Sequence, residues 1–337
     1  YIVLGAFSSA LLLYGISMVW GATGTTYYAG ISEHLALNAG NLDSTLILGL
    51  ALIFAGLGFK VAAAPFHMWA PDTYQGAPTP VTAFLAVASK AAAFALILRL
   101  FTQGLLPALA EWQVLVAVLA VATMVIGNLV AIVQTNIKRM LAYSSVGQVG
   151  FLLLGVAALG HVEGGVVIPV TLASDAVMLH LVGYAFANLA AFATVIVVYN
   201  HIGTDELSGY SGLAKRSPHL SLVMAVALFS LAGLPFFVGF ITKFYLFTAA
   251  AESGLLWLAG VAMAASVVSL YYYLMIVKRM FIDDVPESDI TSALIGIPRL
   301  SWLLLSALLI GTVLLGVYPG PLADAVGAAS SAIFSGA

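Results

Sequence analysis

Apolar runs of about 20 residues recur along nearly the whole chain, and at a rise of about 1.5 Å per residue each can cross a hydrocarbon layer of about 30 Å as a helix. Nine runs qualify: 2–20, 46–69, 80–101, 113–133, 140–159, 176–199, 220–250, 255–277 and 302–318. The connectors between them, such as 21–45, 160–171 and 202–217, are rich in Gly, Pro and polar residues and too short for a folded soluble domain. The pattern predicts an all-α, polytopic transmembrane helical bundle.

Two runs are irregular in the same way. Run 46–69 contains Lys60 followed by Pro65, with Pro71 just beyond, and run 220–250, overlong at 31 residues, contains Gly233, Pro235 and Gly239 before Lys243. Both predict broken helices. Lying five spans apart, they run in opposite directions, the arrangement left by an inverted-topology repeat whose discontinuous helices meet near the membrane midplane.

Composition then narrows the function. With 62% hydrophobic and 7% charged residues, against about 25% charged in a soluble domain, the chain suits no soluble fold. A net charge of −3 and scattered basic residues exclude nucleic acid as a partner, leaving the lipid bilayer. The absence of cysteine excludes Fe–S clusters, thiolate-held haem, disulfides and thiol catalysis within the chain. No cofactor or metal is expected, and any electron chemistry belongs to a partner. The chain starts at Tyr1 without an initiator Met, a basic n-region or a cleavage site, and so reads as a fragment. Placing the first connector outside puts Lys138, Arg139, Lys215, Arg216, Lys278, Arg279 and Arg299 on the cytoplasmic side, as the positive-inside rule requires, with Arg99 alone on the outer side.

Three lysines remain inside the runs: Lys60, Lys90 and Lys243. A Lys at the centre of a spanning helix costs about 2.5–3.5 kcal/mol on insertion scales and persists only with a role or a partner. Lys90 is the eleventh of 22 residues in run 80–101, about 15 Å from either end and beyond the reach of a snorkelling side chain. Either a functional group or a structural ion pair accounts for it. Lys60 and Lys243 each lie within about two turns of a predicted break, where freed carbonyls and water can solvate an ammonium. Desolvation penalises the ammonium and not the amine, so such lysines can give up protons. His180, Tyr184 and Asn188 fall on one face of the sixth span and suit a proton wire or a hydrogen-bonded packing histidine equally. Tyr143, Ser144, Ser145 and Gln148 could hold water, although interhelical bonding is the commoner use of such residues. His67, one turn before Asp72, fits either a bend held by a His–Asp hydrogen bond or proton entry.

The run Gly58-Phe59-Lys60-Val61 through Pro65-Phe66-His67-Met68-Trp69-Ala70-Pro71-Asp72-Thr73-Tyr74-Gln75-Gly76-Ala77-Pro78-Thr79-Pro80-Val81 resembles the signature of the antiporter-like N subunits of NADH:quinone oxidoreductase. The resemblance continues through Ala88-Ser89-Lys90, Gln134-Thr135-Asn136-Ile137-Lys138-Arg139, Tyr143-Ser144-Ser145 and Leu231-Ala232-Gly233-Leu234-Pro235 to Gly239-Phe240-Ile241-Thr242-Lys243-Phe244-Tyr245. It implies a family fold of two inverted five-span repeats, of which 1–111 would be the last three spans of the first, 112–280 the second, and 281–337 a loop and final helix. It also implies proton translocation through Lys60, Lys90 and Lys243, with Lys60 paired to a glutamate upstream of Tyr1 and with redox chemistry in partner membrane-arm subunits. Many relatives carry a His where this chain has Gln148. The implied location is a bacterial inner membrane. Two alternatives stay open, an Mrp-type sodium/proton antiporter and a non-translocating structural subunit. The spans offer no interior carboxylate for sodium, since Asp175 sits at the outer edge of its helix.

Overall fold

The computed structural model describes residues 1–38, 42–285 and 294–334. Among them, eight helices are long and apolar enough to cross a membrane: Ile2–Thr23 (α1), Ser44–Val61, Thr79–Gly104, Leu106–Ile132, Ile137–Ala157, Thr171–Ile202, Leu256–Phe281 and Arg299–Val317. The remaining predicted run, 220–250, forms two shorter helices separated by a break. In chain order, α2 is Tyr28–Leu37, α3 Ser44–Val61, α4 Trp69–Gly76, α5 Thr79–Gly104 and α6 Leu109–Ile132. There follow α7 Ile137–Ala157, α8 Thr171–Ile202, α9 Pro218–Ala232 and α10 Val238–Glu252. Helices α11 Leu256–Phe281, α12 Arg299–Val317 and α13 Gly320–Phe334 complete the bundle.

Helix α7 is the axis. Beyond its first turn its residues are apolar or small apart from Tyr143 and Gln148, a composition that suits either lipid or the core of a bundle, and here it meets the core. Every residue of α7 but Arg139 and Tyr143 is buried, enclosed by α4, α6, α8, α10 and α11. Its N-terminus is fixed by Asn136, whose side chain accepts from Arg139 N at 3.1 Å. By contrast, α1 and α12 bury one narrow stripe each and leave Ile2, Phe7, Leu303 and Ile310 exposed, as lipid-facing helices do.

Both interruptions form where they were expected, with opposite chain direction. Helix α3 ends at Val61, and the chain turns through 62–68 before α4. Helix α9 ends at Ala232, and 233–237 precede α10. The predicted inner connectors gather on one face, where Lys138 pairs with Asp205 at 3.0 Å, Arg139 with Asp72 at 2.6 Å and Lys215 with Asp284 at 3.1 Å. These basic residues therefore do more than mark topology: they tie the connectors together. Residues 286–293, within the predicted C-terminal loop, lie outside the described residues.

The outer face is richer than the sequence suggested. Connector 21–45 holds α2, which packs on the outer end of α5, and 160–171 forms an antiparallel hairpin of β1 (Gly160–Glu163) and β2 (Val166–Pro169). Helix α13 follows the last span and packs on α8, with Ser330 bonded to Ser174. Such elements are too short or too polar to register as spans, and their contacts rather than their propensities hold them.

Candidate functional site

Lys90 lies in the middle of α5, directly after a π-helical turn at Leu85–Ser89 that widens the helix ahead of it. Its side chain is 2% exposed. The ammonium donates to Ser145 O at 3.0 Å and to Ser145 Oγ, and that Oγ is bonded at 2.6 Å to the hydroxyl of Tyr184 on α8. No carboxylate is in ion-pair contact with it among the described residues.

Lys243 is held by the second break. Where α9 stops, the carbonyls of Leu231 and Ala232 lose their helical donors, and Lys243 reaches back from α10 to donate to each at 3.0 Å. Ser266 Oγ on α11 accepts a third bond at 2.9 Å, and the Phe151 ring centroid lies 4.4 Å from the nitrogen. Gly233 permits this twice over: its φ is +87°, and a Cβ there would stand 2.9 Å from Lys243 Cδ.

Between the lysines, α7 and α8 present a polar ladder. Ser145 and Gln148 are one turn apart on α7, and His180 and Tyr184 one turn apart on α8. Gln148 Nε2 donates to Leu231 O at 3.0 Å, the same carbonyl that accepts from Lys243. Its Oε1 lies 3.2 Å from His180 Nε2, which assigns the proton of a neutral imidazole to Nε2, while Nδ1 faces Thr242 Oγ1 at 2.9 Å. A cavity of about 10 Å³ lined by Gln148, His180, Tyr184, Ser230 and Thr242 fills the remaining gap, the space of about one water. Beside it, Tyr273 OH is bonded to Ser144 Oγ, and Tyr272 OH donates to Asn128 Oδ1 at 3.0 Å.

The structure thus brings Lys90, Tyr184, His180 and Lys243 into one buried array and leaves the other candidates apart. Asn188, on the same predicted face, is buried, but its Nδ2 has no hydrogen-bond partner among the described residues and does not extend the ladder. Lys60, in the last turn of α3, is half-buried and without an ion pair or hydrogen bond among the described residues. His67 does not hold the bend to Asp72, because Asp72 pairs with Arg139; its ring instead meets Tyr143 edge-on with centroids 6.3 Å apart. Ser145 and Gln148, expected as interhelical bonding groups, are the rungs of the ladder. Thr242, Ser266 and Tyr273 escaped notice because a single hydroxyl in an apolar helix carries no periodic signal.

Residues 1–269 match the family model described as "NADH:quinone oxidoreductase/Mrp antiporter, TM". The chain belongs to this family. Within it, the NADH-quinone oxidoreductase subunit N of Desulforamulus reducens is 46% identical over 326 residues, covering 96% of this chain and 64% of the relative. A chain of respiratory complex I from Thermus thermophilus superposes with a TM-score of 0.77 at 34% identity, over 97% of this chain and 67% of that one. A chain of the Mrp complex from Dietzia superposes with a TM-score of 0.84 at 25% identity, over 99% and 67%. The chain therefore spans about two thirds of the length of the curated relatives it matches. The segment matching the family model contains the entire ladder, from Lys90 to Ser266. The multi-pass helical bundle described above is the fold these membrane subunits share.

Proposed function

We propose that this protein is a proton-translocating subunit of a membrane NADH:quinone oxidoreductase, carrying no redox centre itself and driven by chemistry in partner subunits of the membrane arm. The observation that carries the reading is the buried pair Lys90 and Lys243, neither in ion-pair contact with a carboxylate among the described residues, with Ser145 and Tyr184 bonded on the one side and Gln148 and His180 on the other of a small shared cavity. The hydroxyls of Ser145 and Tyr184 both donate and accept, so rotating them moves a proton away from Lys90. The Gln148 amide cannot relay a proton; it positions His180 and the Leu231 carbonyl. Passage between the two halves therefore runs through the small cavity that Tyr184, His180 and Thr242 share. Matching relatives named as bacterial subunits support a bacterial inner-membrane location. Lacking cysteine, the chain supplies no thiolate for a cluster.

Likeness to an Mrp complex raises sodium/proton antiport as a second reading. The site speaks against it, because a hard cation requires several oxygen ligands, usually carboxylates, and the ladder contains none. The test is the proton-to-electron ratio of assembled complex in sealed vesicles. Lys90→Met is expected to lower it while NADH oxidation remains measurable. A ratio unchanged by Lys90→Met, or pumping that requires sodium, would overturn the reading.

A further inference from the structure

Helices α6 and α11 pack against each other, and both run toward the face that gathers the basic residues. Each carries an exposed apolar stripe at four-residue spacing: Val125, Leu129 and Val133 along α6 and its cap, and Val267, Tyr271 and Met275 on α11. The next position of the second stripe is Arg279, in the last turn of α11. Between the inner ends of the two helices lies a cavity of about 190 Å³. Val133, Met275 and Ile276 give it apolar walls, while Gln134, Thr135 and Arg279 add polar ones.

The charge at this cavity is not neutralised by the protein. Lys138, Arg139 and Lys215 on the same face each hold a carboxylate, but the half-buried guanidinium of Arg279 has neither ion pair nor hydrogen bond among the described residues. Asp284, five residues further on, is taken by Lys215. No acidic residue lines the cavity among the described residues. A guanidinium presents five N–H donors in a planar fork that matches the oxygens of a phosphate. The exposed Thr135 hydroxyl, also without a partner among the described residues, adds a further donor at the cavity wall.

We propose that this cavity binds the headgroup of an anionic phospholipid of the inner leaflet, with its phosphate on Arg279 and its acyl chains along the apolar stripes of α6 and α11. Basic pockets between helices on the cytoplasmic side are suited to such headgroups, and the attraction is strongest for lipids of net negative charge. A choline or ethanolamine headgroup would bring an ammonium into a lining that offers it no carboxylate. A free phosphate ion would use Arg279 and leave the two stripes without an occupant, whereas a phospholipid accounts for both. The proposal is independent of the translocation reading, since it concerns the lipid-facing side of α6 and α11 and none of the ladder residues.

The test is photo-crosslinking in the assembled complex, reconstituted in phosphatidylcholine vesicles that contain a trace of phosphatidylglycerol or of phosphatidylcholine with a diazirine in one acyl chain. Peptide mass spectrometry of this subunit then maps the labelled residues. Phosphatidylglycerol should label residues 125–133 and 267–276 more strongly than phosphatidylcholine does. Arg279→Gln should lower that phosphatidylglycerol labelling about fivefold, the worth of one basic residue beside an anionic lipid surface, and leave phosphatidylcholine labelling unchanged. Lys278→Gln removes an equal charge from an exposed neighbour that does not line the cavity, and should have a smaller effect. Equal labelling by the two lipids overturns the proposal, as do equal losses in the two variants. It falls as well if this face takes no lipid label and cross-links to a neighbouring subunit instead. The comparison of the two lipids on the unmodified complex decides the matter even if Arg279→Gln prevents assembly.

Discussion

Lys90 and Tyr184, on helices α5 and α8, meet on a single atom, the Oγ of Ser145 on the central helix. A lysine whose contacts are a backbone carbonyl and a chain of two rotatable hydroxyls can change protonation state without moving its neighbours. That geometry is what the proposed role as a proton carrier requires, whereas a buried counter-ion would sit against a carboxylate.

Lys90→Arg should therefore fail almost as badly as Lys90→Met. A guanidinium stays charged even when buried, so Arg keeps the positive charge and removes the relay, while Met removes both. Proton-to-electron ratios of assembled complexes in vesicles, with assembly checked separately, decide it. Near-normal pumping by Lys90→Arg would show that charge alone is needed.

Removing only the hydroxyl of Tyr184 should separate wire from packing. Tyr184→Phe retains the buried ring and cuts the second rung of the Lys90 chain, so pumping should drop by about tenfold or more with assembly intact. Stopped-flow acidification of vesicles measures it; a rate within twofold of normal would leave Tyr184 a packing residue.

How much of this was legible in the sequence follows from what each signal depends on. Span number and the two breaks were readable because apolar length and Pro/Gly placement are local properties, as at Pro235 and Gly239. The depth of Lys90 was readable by counting residues. The ladder was readable only in part: His180 and Tyr184 share a face, but that Tyr184 rather than Asn188 meets Lys90 depends on how α8 is rotated against α7. Ser266 and Thr242 acquire meaning only through the helix that ends beside them. The hairpin at 160–169 and α13 depend on tertiary contacts with no hydropathy signature.

Two ion pairs on the inner face should differ sharply in worth. Asp205 and Lys138 are 13% and 7% exposed, with the lysine also donating to Ala77 O, whereas Asp72 and Arg139 are 73% and 32% exposed. Asp205→Ala strands a buried ammonium and should cost about 3–5 kcal/mol. Asp72→Ala should cost under about 1 kcal/mol. Thermal unfolding in detergent compares them directly, and equal losses would mean that burial does not control these pairs.

Orientation can be checked at two exposed residues in a chain free of cysteine. Ser208, exposed on the face that gathers the basic residues, and Glu163, in the hairpin on the opposite face, are the positions to change. With Glu163→Cys, a membrane-impermeant maleimide should label intact cells; with Ser208→Cys it should label only inverted vesicles. Labelling of Ser208→Cys from outside would reverse the topology.

The second break depends on Gly239 as well as on Gly233. A Cβ at Gly239 would stand 1.8 Å from Ser230 O, and Gly239 N donates to Ser230 Oγ at 3.1 Å, so α10 starts in backbone contact with the last turns of α9. No rotamer can relieve a clash with a backbone oxygen; the two half-helices must separate. Separation moves Lys243 away from Leu231 O and Ala232 O, and Gln148 loses the carbonyl it shares with Lys243. Gly239→Ala should therefore destabilise the subunit by about 1–3 kcal/mol or more and abolish pumping in whatever complex assembles. Gly260, exposed on α11 with nothing within 4 Å of a Cβ, is the matched control. Alanine there should be neutral or slightly stabilising, since alanine gains about 1 kcal/mol of helix propensity over glycine. Pumping by purified complexes, normalised to subunit content, compares the two; normal pumping by Gly239→Ala would show that the carbonyl cradle around Lys243 is not required.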